Sequence, residues 1–163
     1  MKKIDRFLVA IVVSIVVLVV VTLIVALHQP APTYQPESTP EGVAHNYMLA
    51  LQQKDYERAY GYLSPTLPGY PANSMEFRQH TGQYSWRFQF DENTTIAISD
   101  VTVMGDQATV QAASNRFSSD GLFGGRINVS HFDLQLRLDN GVWKIVRADR
   151  YWASCWNQSD GCP

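Results

Sequence analysis

His131 and Asp133 stand two apart in RINVSHFDLQLRLD, a stretch whose side chains alternate in character. A histidine beside a carboxylate on one strand face is a minimal acid–base pair. The opposite face of that strand carries Phe132, Leu134, Leu136 and Leu138. The His131, Asp133, Gln135 and Arg137 face is therefore expected to be wet, with Arg137 pairing Asp133. Asp100, in phase with Ile96 and Ile98, is the one hint of a buried acid and a weak catalytic candidate. Val101 and Val103 follow in the opposite phase, which predicts a bulge or a strand end near Asp100. Tyr47, Tyr60, Trp86 and Phe88 are candidates to line a small apolar pocket with phenolic handles. Aromatic rings at helical spacing serve equally as core, and that is the plainer expectation for these four. His28, His45 and His80 have no partner at ligand spacing, so neither a metal nor a cofactor is expected. DGLFGGR lies between two predicted strands and reads as a hairpin loop, not a phosphate-binding loop.

Helices are predicted ahead of the strands. Thr39 can cap a helix that starts at Pro40 and buries Val43, Tyr47, Ala50 and Leu51. Asp55 caps a second, with Tyr56, Ala59, Tyr60 and Leu63 on one face and Pro65 as its stop. A third is expected from Ser74 to about His80, with Asn73 and Glu76 at capping-box spacing and Gly82 as terminator. The period then changes to two: Tyr84, Trp86, Phe88 and Phe90 alternate with polar residues and predict a strand. Tight turns at Gly105-Asp106 and Asp139-Asn140-Gly141 join the later strands. Helices followed by a run of strands indicate an α+β fold.

Ahead of this domain, Phe7–Leu27 is an uncharged run, FLVAIVVSIVVLVVVTLIVAL, whose polar members are Ser14 and Thr22. As a helix it would reach roughly 31 Å, enough to cross a bilayer core. Lys2, Lys3 and Arg6 precede it, and no Lys or Arg follows until Lys54. The positive-inside rule then places residues 1–6 in the cytoplasm, residues 7–27 across the plasma membrane and the rest outside. A cleaved signal peptide is the alternative, although the run exceeds the usual apolar core of such peptides. Residues 28–39, HQPAPTYQPEST, read as a Pro-rich tether, and residues 40–163 as one domain. The net charge of −2 argues against nucleic acid as a partner. Cys155 and Cys162, on the side inferred to be oxidising, are expected to form a local disulfide, with free thiols as the alternative.

The order of these elements resembles the nuclear-transport-factor-2-like (cystatin-like α+β) superfamily. TPEGVAHNYMLALQQKDYERAYGYLSPTL, with its Lys-Asp-Tyr-x-x-Ala-Tyr helix and Leu-Ser-Pro stop, is similar to the opening of small extracytoplasmic members of unassigned function. VTVMGDQATVQA and LRLDNGVWKIV resemble their sheet hairpins, so the likeness covers roughly residues 40 to 150. It implies about three helices on a curved antiparallel sheet of four to six strands, forming a cone. Enzymatic members similar to ketosteroid isomerase need a carboxylate base and a proton-donating pair inside that cone. The inward run Ala108, Val110, Ala112 and Ser114 supplies neither. The expectation is a non-enzymatic, membrane-anchored interaction or ligand-binding module, with the bilayer as partner through residues 7–27. A scaffold subunit of a larger membrane complex, in contact with other subunits or with itself, is the second reading. Its layout resembles the inner-membrane scaffold of type IV secretion systems. A small isomerase- or dehydratase-type enzyme is the third.

Overall fold

The computed structural model describes residues 6–27, 32–90, 94–119 and 124–162. They fall into two compact units, Met1–Pro32 and Thr33–Pro163.

The first unit is helix α1, Arg6–Leu27, of 22 residues. Its described side chains are exposed all round, including Phe7, Val12, Leu18 and Ile24. Ser14 Oγ donates to the Ala10 carbonyl and Thr22 Oγ1 to those of Leu18 and Val19, so both hydroxyls are satisfied within the helix. Described side chains run unbroken from Val9 to Ile24. Among the described residues, no helix is long and apolar enough to cross a membrane.

The second unit is α+β. Helices α2 (Pro40–Gln52), α3 (Tyr56–Gly61) and α4 (Ser74–Gln83) precede a four-stranded antiparallel meander. Its strands, in spatial as well as chain order, are β1 (Thr94–Met104), β2 (Gln107–Ser119), β3 (Gly125–Asp139) and β4 (Val142–Ala148). The three caps are those the sequence predicts. Thr39 accepts from the Gly42 amide, Asp55 from that of Arg58, and Asn73 from that of Glu76. Each pairs one of the amides that a helix start leaves without an internal partner. Gly82 does not end α4, which continues to Gln83. At the β3–β4 turn, Asn140 and Gly141 both have positive φ, 53° and 81°. That geometry suits a two-residue hairpin, and Asn and Gly adopt it at little cost.

Two registers shift. Ile98 faces Ala112 and Asp100 faces Gln111, which leaves Ser99 as the extra residue of a bulge. Its hydroxyl donates to the Gln111 carbonyl. The expected phase change is therefore real: Ile96, Ile98 and Val101 pack against the core, while Asp100 is exposed. A second shift follows Gln135, where Leu136 faces Ile145. Beyond β4, the Leu63–Ile145 bridge and the Ser64 amide bonded to the Ile145 carbonyl cover that edge.

Three expectations need correction. Tyr84–Phe90 is not a strand; Ser85–Arg87 form a single 3-10 turn directly after α4. Alternation over so short an aromatic run reflects separate neighbours: Phe88 lies against Trp156, Phe90 stacks on Tyr151, and Trp86 points outward, 66% exposed. Residues 33–39, read as tether, are held on the domain. Asn46, fully buried, accepts from the Gln35 amide at 2.7 Å and donates to its carbonyl at 2.8 Å. Gly42 lets this segment approach, since a Cβ there would stand 2.0 Å from the Pro36 carbonyl oxygen. Finally, Arg137 pairs with Asp139 at 2.8 Å, not with Asp133. Asp139 is two residues along the same strand face and also receives the Ser64 hydroxyl. The tip of the β2–β3 loop, in DGLFGGR, lies outside the described residues at 120–123.

Candidate functional site

The space between the helices and the inner face of the sheet is filled by rings, and many of them come from the C-terminal tail. β2 and β3 bring Ala108, Val110 and Ala112 opposite Leu136, Leu134 and Phe132. Over this face pack Tyr47 of α2, Phe77 of α4, and Trp152 and Trp156 of the tail, all with almost no exposure. Trp156 stacks on Phe77 at 5.1 Å and meets Trp152 edge-on at 4.8 Å. These are the offset and edge-to-face separations that ring quadrupoles favour. The indole of Trp152 donates to Asn157 Oδ1, and Asn157 in turn donates to the Val146 carbonyl, so the burial leaves that N–H satisfied. The disulfide Cys155–Cys162 closes the tail beyond them. Gly69 donates to the Trp156 carbonyl and locks the α3–α4 connection onto the same turn.

The predicted pocket residues separate. Tyr47 is core, its hydroxyl donating to the Tyr151 carbonyl at 2.6 Å, and burial pushes its pKa well up. Tyr60 is half-buried and donates to the Pro71 carbonyl, with its ring beside Tyr70 and Phe77. Phe88 is half-buried and lines a cleft of about 310 Å³ with Tyr56, Arg78 and Phe90. Trp86 belongs to a different cleft. Asp100 lies on the exposed side of the Ser99 bulge. His131 is exposed, and Asp133 receives no side-chain partner from it; the Asp133 amide donates to Asp149 instead. No cluster of His, Cys, Asp or Glu that could hold a metal occurs among the described residues.

The buried polar residues among those described are Asn46, Ser64, His80, Thr81 and Ser114. His80 is the titratable one. Its Nδ1 accepts the Trp156 indole N–H at 3.1 Å, which requires that nitrogen to be unprotonated. Burial lowers its pKa, against a smaller opposing pull from Glu76, whose carboxylate lies 3.7 Å from Nε2. A depressed folded pKa means that His80 contributes stability above the ordinary value near 6.5, lost as pH falls through the folded value. Urea midpoints of the Thr33–Pro163 unit should therefore drop between pH 7 and 5, and drop less in His80→Gln. The contributions of Glu37 and Asp139 are lost mainly below that window. The Tyr62 hydrogen bond holds Glu37 below its usual range near 4.5, and Arg137 holds Asp139 below 3.8.

At the rim of this filled interior lies a cleft of about 260 Å³, lined by Trp86, Arg87, Gln89, Arg116, Asp149, Arg150 and Tyr151. Arg116 is next in phase after Ala112 and Ser114 on the inner face of β2. Arg150 donates to the buried Ser114 hydroxyl at 3.0 Å, which anchors it over that face. The Arg87 guanidinium stacks over the Trp86 ring at 4.7 Å. Tyr151, a non-glycine residue with φ of 56°, turns the chain sharply at the edge. It is held by the Tyr47 hydroxyl, which donates to its carbonyl, by the hydrogen bond its own N–H donates to the Arg87 carbonyl, and by the Phe90 stack at 4.3 Å. Sequence reasoning missed this set because it searched the inward positions for acids. Extending the Ala112–Ser114 phase by one step would have found Arg116.

No family model matches the chain, and no curated protein matches it. Among solved structures it is similar to a ketosteroid isomerase candidate from Shewanella frigidimarina. That likeness has 18% identity and a TM-score of 0.48 and covers 68% of this chain and 93% of that one. It is also similar to a SEC-C-motif protein from Rhodopseudomonas palustris, at 15% identity, TM-score 0.46, and coverage of 72% and 83%. A protein of unknown function with a cystatin-like fold from Nostoc punctiforme is similar at 19% identity, TM-score 0.44, and coverage of 65% and 82%.

Proposed function

We propose that the chain is a single-pass membrane protein whose extracytoplasmic domain, of the nuclear-transport-factor-2-like type, binds a small ligand or a partner without catalysing a reaction. The observation that carries this reading is the filled interior. The core of the domain takes in Trp152 and Trp156 of the tail together with Tyr47, Phe77 and the inward side chains of the sheet, and no acid is buried among the described residues. Binding is then left to the rim and the outer surface.

Membrane placement is supported by the apolar surface that α1 exposes and by its internally bonded Ser14 and Thr22. Lipid tolerates a helix whose polar groups are satisfied within it. The disulfide favours an oxidising compartment. Two experiments test the proposal. A reporter active only outside the cytoplasm should work when fused after Leu27, and the chain should resist alkaline extraction from membranes. A soluble mature chain starting near residue 29 would overturn the anchoring. For the absence of catalysis, full-length Asp100→Asn should complement a deletion as well as the native chain. A folded Asp100→Asn protein that fails to complement would point to chemistry at that carboxylate.

A further inference from the structure

His80 is the one buried side chain among the described residues that can change charge near neutral pH. It sits at the joint between α4 and the tail, its Nδ1 accepting the Trp156 indole N–H at 3.1 Å. An imidazole nitrogen accepts only while it carries no proton, and the imidazolium is a donor at both nitrogens. Protonation at Nδ1 therefore sets two N–H groups against each other inside a packed interior, where an unpaired donor is costly. On the other side of the ring, Nε2 lies 3.7 Å from the Glu76 carboxylate, one helical turn back on α4. Glu76 offers the imidazolium a counter-charge, so the charged ring can form in place. Among the described residues it is the one charged group that acts on His80. From the tail side, Cys155 and Cys162 are disulfide-bonded and do not titrate.

The other described bonds that seat the tail lack this sensitivity. Gly69 donates its amide to the Trp156 carbonyl, the Trp152 indole donates to Asn157 Oδ1, and Asn157 donates to the Val146 carbonyl. Trp156 stands within the loop that the Cys155–Cys162 disulfide closes, so displacing its ring moves that loop as a unit. β2 and β3, by contrast, meet the interior with alanine, valine, leucine and phenylalanine, which do not respond to pH. We infer that the tail is an acid-released latch: protonation of His80 detaches Trp156 and its disulfide loop while the sheet stays folded. The interior that the tail closes at neutral pH is thereby opened. This goes beyond the proposed binding function, because it controls when inner rings such as Phe77 and Phe88, which Trp156 covers, can be reached.

The test uses the full chain in detergent micelles, read by amide exchange corrected for the intrinsic effect of pH, and by the Trp156 indole N–H resonance. From pH 7 to pH 5, protection across 152–162 should fall about tenfold or more while that of β2 and β3 is kept. The indole resonance should shift over the same range, in step with the His80 ring. His80→Asn, which keeps an acceptor oxygen near the Nδ1 position and does not titrate, should hold the tail closed throughout. Glu76→Gln should move the release to lower pH, because the imidazolium loses its counter-charge. That variant decides the matter if His80→Asn does not fold. Tail protection unchanged by acid, or tail and sheet losing protection together, would overturn the inference. So would a release that persists in His80→Asn or stays at the same pH in Glu76→Gln. None of these results bears on membrane topology or on Asp100→Asn complementation, so failure of the latch is distinct from failure of the binding reading.

Discussion

Trp156→Ala in the Thr33–Pro163 unit should cost about 3 to 5 kcal/mol, the usual range for truncating a large buried aromatic residue. The indole is fully buried and meets Phe77, Trp152, Phe88 and His80. Removing it leaves a cavity bordered by α4, the tail and the 84–90 segment, and these are tied elsewhere, so the site cannot collapse freely. The His80 Nδ1 also loses its donor. Trp86→Ala is the contrast: at 66% exposure it should change stability by about 0.5 kcal/mol or less. Urea denaturation of the two variants beside the native unit checks both. A Trp156→Ala loss no larger than that of Trp86→Ala would mean that the tail is not part of the core.

Opening the Cys155–Cys162 link should cost about 2 to 3 kcal/mol by loop-entropy reasoning, close to what a loop this short can supply. The consequence is larger than the number suggests, because Trp156 lies inside the loop and Trp152 just before it. Cys155→Ser/Cys162→Ser should therefore lower the urea midpoint and raise amide exchange across 152–162 before the sheet is affected. Mass spectrometry after alkylation should find no free thiol in the native chain without reductant. Two labels taken up without reductant would mean the thiols are free.

Both expectations concern a tail that the sequence marked only by its cysteines. The caps at Thr39, Asp55 and Asn73, the Phe132–Leu138 stripe, the Asn140-Gly141 turn and the phase break at Asp100 were legible, because each is settled by residues within a few positions of one another. A cap needs one side chain and an amide three residues on, and a strand face needs only alternation. The disulfide was legible for the same reason of short range.

The rest depended on which distant segments meet. Trp86 and Phe88 look alike in the sequence, yet one ring faces outward and the other faces Trp156. Arg137 could pair with either strand neighbour, and Ser64 from the helical half, donating to Asp139, favours that one. Arg87, Arg116 and Arg150 lie on a turn, a strand and the tail, and only the fold brings them to one cleft. The sequence by itself determined the apolar helix at the start, the α+β order, the caps and the hairpin turns, all products of local sterics and periodicity. Tertiary structure alone decided that the interior is closed by the tail's tryptophans and that the arginines gather at its rim. Long-range packing chooses among side chains that local propensity treats as equal.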